Sequence, residues 1–100
     1  MANKRDIVDF AVVAAINQVL AARMGRYGFT SAKVEPGLDH DGDEVLFIEA
    51  VYPYSDTPVA SNATVGLVSE VRRAIEEVGE HRFPHIDHCF DERQKTVKSA

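Results

Sequence analysis

Apolar side chains at Val8, Val12, Ala15, Ile16 and Val19 recur at helical spacing, which predicts a helix over about residues 4 to 24 with one face set against a sheet. Asn3 is placed to accept from the first free amides, Asp6 adds negative charge where the helix dipole favours it, and Gly25 is the expected left-handed stop. A second apolar set, Phe10, Val13, Leu20 and Met24, joins Asn17 at the three-four spacing of a short helix-pairing seam. Two partners are therefore expected for this helix: the sheet, and either the later helix or a second copy of the chain. The plainer alternative is that Phe10 and Val13 only widen the internal face. From Phe29 to Glu35 the period changes to two, with Thr30, Ala32 and Val34 opposite Ser31, Lys33 and Glu35, and this predicts a half-buried strand ended by Pro36-Gly37. After an Asp41-Gly42 hairpin turn, Val45 to Tyr52 is apolar apart from Glu49 and reads as a central strand.

The segment from Tyr52 to Ala60, with two prolines and an aspartate, reads as a loop. A second helix over about 62 to 78 follows, capped by Ser61 or Asn62 and closed by Gly79. Its inward stripe is Leu67, Val68, Val71, Ala74, Ile75 and Val78, with Glu70, Arg73 and Glu77 forming charge pairs on the solvent side. Gly66 inside that helix costs on the order of 1 kcal/mol relative to Ala and is expected to mark a close backbone contact. Phe83 to Phe90 alternates Ile86, His88 and Phe90 against His85, Asp87 and Cys89, with Pro84 near its start as an edge strand permits. Residues 91–100 are polar and expected to fray.

These elements predict one α+β domain over residues 1–100 in the order α-β-β-α-β, with a three-stranded, mostly antiparallel sheet and both helices on one face. The uncovered face then carries Ser31, Lys33, Glu35, Glu49, His85 and Asp87, shared with Val45, Phe47 and Val51.

Composition agrees with such a domain: 45% hydrophobic and 27% charged residues in a chain of 100 fit a single globular domain rather than a disordered or multidomain chain. Charge adds more. The net value of −5 is unevenly spread, and residues 34–71 hold eight acidic side chains and no Lys or Arg. A one-signed surface selects partners, so a basic protein is the expected partner and nucleic acid is disfavoured. Cys89 is the single cysteine, so no internal disulfide forms, and a reducing cytoplasm is the expected compartment. Lys4-Arg5 ahead of the apolar run loosely imitates a signal peptide. Asp6 and Asp9 intervene and Asn17-Gln18 break the run, so an unprocessed chain with no membrane association is expected.

No catalytic constellation stands out, and no catalytic residue or cofactor is assigned. Asp39-His40-Asp41-Gly42-Asp43-Glu44 offers hard-cation ligands, but glycine is fourth rather than sixth and Ala50 stands where an EF-hand needs glutamate, so an Asp-Gly turn accounts for it. His85, Asp87 and Cys89 project together from a strand and have ligand chemistry suited to a transition metal, with His81 and His88 nearby in sequence and His40 of the hairpin able to join if that loop folds over. Cys89 beside histidines has the residue types of a nucleophile and base, but His88 faces the opposite side of the strand. Gly25-Arg26-Tyr27-Gly28 matches the G-x-x-G by which KH domains clamp a nucleic-acid backbone. Here it follows a helix and precedes a strand, where glycine capping explains Gly25 and turn geometry explains Gly28 without any ligand.

Over residues 4–90 the element order resembles that of BolA-like and type II KH proteins. The resemblance covers order only: the Arg-His-Arg run of BolA proteins is absent, and that segment reads Ser61-Asn62-Ala63-Thr64. It implies a small adaptor or nucleic-acid-associated role and transfers no functional residue.

The expected function is that of a small non-enzymatic interaction module, an antitoxin-like or chaperone-like accessory protein. Its acidic hairpin would dock a basic partner through Glu35, Asp39, Asp41, Asp43, Glu44 and Glu49, with a homodimer formed through the first helix or the open sheet face. One alternative is a KH-like or BolA-like binder of single-stranded nucleic acid using Arg23, Arg26 and Tyr27, helped by Lys4 and Arg5. Another is a small transition-metal protein using His85, Asp87 and Cys89.

Overall fold

The computed structural model describes residues 7–53 and 62–90. Its elements are α1 (Phe10–Met24), a short 3-10 turn (Gly25–Tyr27), β1 (Ser31–Leu38), β2 (Glu44–Tyr52), α2 (Leu67–Glu76) and β3 (Phe83–Phe90). This is the expected α+β order, with β2 central in a three-stranded sheet and β3 on an edge. The sheet is mixed rather than mostly antiparallel: β1 and β2 form the hairpin, whereas β2 and β3 run parallel. Parallel pairing follows from α2, which carries the chain back to the starting end of β2 before β3 begins. Asn3, Asp6, the Tyr54–Ala60 part of the loop, Ser61 and the 91–100 tail lie outside the described residues.

One core joins the helices to the inner sheet face. Val12, Ile16, Leu20 and Met24 of α1 meet Leu67, Val71 and Ile75 of α2 over Leu46, Ile48, Ala50 and Tyr52 of β2, with Tyr27 and Phe29 closing one end. Leu20 and Met24, expected on a pairing seam, are fully buried in this core, while Phe10 is 86% exposed. Asn17 does not set a helix-pairing register. Its Oδ1 accepts from the Ala32 amide at 3.0 Å and its Nδ2 donates to the Val13 carbonyl at 3.0 Å, so α1 is tied to the edge strand β1.

That bond also explains why β1 does not stop at Pro36-Gly37. Because the Ala32 N–H points away from β2, alternation points the Pro36 nitrogen away from β2 too, and its missing N–H removes no rung of the ladder. Gly37 then allows a close approach, since a Cβ there would lie 2.5 Å from the Phe47 ring.

Both helices begin later than their periodicity suggests. Asp9 is extended (φ −63°, ψ 146°) and its carbonyl takes the Val12 and Val13 amides. Just before it, the Ile7 carbonyl is held by Arg82 at 2.9 Å, which keeps this stretch out of the helix. Ahead of α2, residues 62–66 form turns, because Arg23 donates to the carbonyls of Ala63 (3.3 Å) and Val65 (2.7 Å). Gly66 is not a close-contact site: its φ of +76° turns the chain into α2, and nothing would lie within 4 Å of an added Cβ. The solvent-side pairs also differ from expectation, with Glu70 on Arg23 (3.2 Å) and Glu76 near Arg72 (3.9 Å).

Candidate interaction face

Strand alternation and register place the outward side chains in four rows across the uncovered sheet face. They are Ser31–Val51–Cys89, Lys33–Glu49–Asp87, Glu35–Phe47–His85 and Gly37–Val45–Phe83, each read from β1 through β2 to β3. Neighbours within a row are separated by about 4.8 Å of strand spacing, and adjacent rows by about two residues of rise, about 7 Å. Ser31, Lys33, Glu35, Phe47, Glu49, His85, Asp87 and Cys89 are exposed, whereas Val45 is buried even on this side. The Phe47 and His85 rings stack, with centroids 5.8 Å apart and planes 24° from parallel, and Phe83 meets His85 edge-on at 5.2 Å. Beside this aromatic row is a shallow recess of about 150 Å³ lined by Lys33, Glu35, Phe47, Glu49 and Asp87.

The acidic turn lies beyond the Gly37–Val45–Phe83 row, with Asp39 near enough for the field of His85 to reach it. Asp39 Oδ1 accepts from the Asp41 and Asp43 amides, both at 2.9 Å, and the Asp39 amide donates to the Asp43 carbonyl at 3.0 Å. The Asp43 amide bond is the main reason the Asp39 carboxyl lies below its ordinary value; the positive fields of His40 and His85 act in the same direction. Among the described residues, Asp39, Asp41 and Asp43 are the group whose carboxylate oxygens come within 4.8 Å of one another. Asp39 is already committed to the turn's own amides, so the cluster is what an Asx-type turn requires.

The predicted acidic set therefore divides. Glu35, Glu49, Asp39, Asp41 and Asp43 belong to the open face and its adjoining turn. Glu44 pairs across from Leu38, with the parity of the helix-covered side, where its field reaches Arg82. Of the other acidic residues between 34 and 71, Glu70 is bound by Arg23, and Asp56 lies outside the described residues.

His85, Asp87 and Cys89 do project together, one per row. Consecutive members are two residues apart on one strand, and their ligand atoms do not gather within 4.8 Å as a metal set would. Residual desolvation and, next, the Glu49 carboxylate push the Cys89 thiol above its ordinary value, the reverse of an activated nucleophile.

The nucleic-acid set is differently employed. Arg23 is spent on Glu70 and the two loop carbonyls, and Tyr27 is buried, leaving exposed Arg26 with its guanidinium 6.0 Å from the Tyr27 ring centroid. Gly25 is right-handed (φ −57°), so the left-handed stop falls on Gly28 (φ 94°). Bonds from the Gly28 amide to the Gly25 carbonyl and from the Phe29 amide to the Met24 carbonyl complete a Schellman motif. The G-x-x-G is a helix ending.

Two arrangements were not legible from spacing. The stacked aromatic row depends on the β2–β3 register, though alternation places its members outward. The Tyr52 hydroxyl and His88 Nδ1 share a 2.6 Å hydrogen bond on the inner face, where burial lowers the imidazole pKa. No helix among the described residues is long and apolar enough to cross a membrane. No protein-family model, curated protein or solved structure matches the chain.

Proposed function

We propose that this protein is a small non-enzymatic interaction module whose open sheet face, with the adjoining Asp39–Asp43 turn, docks a basic segment of a partner protein. The observation that carries the reading is the placement of Glu35, Glu49 and Asp87 beside exposed Phe47, with Asp39, Asp41 and Asp43 in the turn beyond the next row and Lys33 the single Lys or Arg in the four rows. An apolar centre inside a predominantly acidic rim is the anatomy of a docking surface, and the charge sets both partner choice and encounter rate. The expectation from sequence is thus narrowed: the turn acts with the sheet face, and Glu44 is not part of the surface.

Self-association, where it occurs, belongs to α1. Two copies of the sheet face would oppose like charges, whereas α1 exposes Phe10, Ala11, Ala14, Ala21 and Ala22 with no charge between Asp9 and Arg23.

The test is binding of short labelled peptides by fluorescence anisotropy. A lysine–serine repeat peptide should bind at low salt, weaken as salt rises, and be lost in a Glu35→Lys, Asp41→Lys, Asp43→Lys variant. Absence of binding at low salt, or binding untouched by that charge reversal, overturns the reading.

A further inference from the structure

We infer that the recess on the sheet face is a receptor for a single arginine side chain of the basic partner, an inference that rests on the docking reading above and gives it a specific contact. Three observations converge on a guanidinium. One lining group is an aromatic ring: Phe47 remains 42% exposed although it stacks on His85 and is held over Gly37, where a side chain would displace it. The walls are carboxylates on all three strands. Glu35 stands directly across from Phe47 on β1, Glu49 follows two residues along β2, and Asp87 faces Glu49 from β3. The volume, about 150 Å³, suits one side chain; small-molecule sites run to roughly 300–1,000 Å³.

A planar guanidinium can pack against the exposed part of the Phe47 ring while its edge donors reach the neighbouring carboxylates. An ammonium is a compact, strongly hydrated point charge and cannot meet both demands at once. Lys33, across from Glu49, has the opposite effect. Its charge repels an incoming arginine and lowers the affinity of the bare recess, so its removal is expected to tighten binding. A generic acidic patch would predict arginine and lysine peptides of equal charge to bind alike.

The experiment compares a labelled arginine–serine repeat peptide with its lysine–serine counterpart of the same length and charge, using the full chain at fixed, moderate salt. The arginine peptide is expected to bind about fivefold more tightly, a difference that Phe47→Leu removes. Glu49→Gln with Asp87→Asn should weaken the arginine peptide about tenfold, and Lys33→Ser should tighten it about threefold. Because Phe47 packs over Gly37, thermal unfolding of Phe47→Leu is measured alongside, and the exposed carboxylate pair serves where that variant is unfolded. Equal, salt-sensitive binding of both peptides would overturn the arginine recess and leave the acidic docking face intact. No binding of either peptide, or preference for single-stranded RNA over both, would overturn the two together.

Discussion

Among single residues, the Glu80–Arg82 pair carries the clearest energetic consequence. Glu80 is 9% exposed and is bound bidentately by Arg82, with Nε to Oε2 and Nη2 to Oε1 both at 2.8 Å, while Arg82 also reaches the Ile7 carbonyl. Glu80→Ala should lower the unfolding free energy by about 2 kcal/mol in urea titrations, since it leaves a largely covered guanidinium short of its acceptor. The Arg82 hydrogen bonds hold the Glu80 carboxyl below its ordinary value. Its contribution is therefore whole above the ordinary carboxylate range and is lost as pH falls through the depressed folded value. His88 adds a second, milder window. Burial depresses its pKa, so the unfolded chain binds the proton first, and stability should decline as pH drops from the ordinary imidazole value of 6.5 toward the lower folded one. A His88→Leu variant should lose that part of the pH dependence, and an unchanged profile would show that the buried imidazole is not its source. Cys89 gives a chemical readout of the sheet face. Glu49→Gln should speed its alkylation by iodoacetamide about threefold, because the Glu49 carboxylate helps keep the thiol protonated.

For the elements, the G-x-x-G segment separates a helix ending from a ligand clamp. Gly28→Ala should destabilise by about 1 kcal/mol, because φ of 94° is left-handed, whereas Gly25→Ala should be neutral or slightly stabilising, with right-handed φ and open space around it. Thermal unfolding of the two variants checks this, and equal losses would mean that Gly25 has a role the backbone does not explain. Element type and order were legible because Val12, Ile16 and Val19 on one side, and Lys33, Glu35, Glu49 and Asp87 on the other, obey the periods of helix and strand. Boundaries were not, because long-range side chains set them. Arg82 holds Ile7, Arg23 holds the turn before α2, and Asn17 takes up the Ala32 amide that lets β1 run on through Pro36. The parallel pairing of β3 was hidden for a related reason: alternation says which residues share a face but not which way a neighbouring strand runs. The acidic half of the candidate face could be read from charge, but its aromatic centre needed the register that sets Phe47 beside His85.

At the scale of the whole molecule, two exposed surfaces differ in kind, and salt should move them in opposite directions. The sheet face is apolar at its centre but ringed by carboxylates, so its complexes with basic segments gain from long-range attraction that ions screen. The outer side of α1 is uncharged from Phe10 to Ala22 and apolar apart from Gln18, so any pairing there brings no such attraction. Instead, salt relieves the mutual repulsion of two chains that each carry a net charge of −5. Sedimentation of the purified chain should therefore show self-association that holds or strengthens as salt rises, and Phe10→Ser should weaken it. Peptide binding at the sheet face should fall over the same salt range and be indifferent to Phe10→Ser. Self-association that weakened with salt, or that vanished when Glu35 and Glu49 were replaced by glutamine, would move the contact between copies onto the sheet and place it in competition with the basic partner.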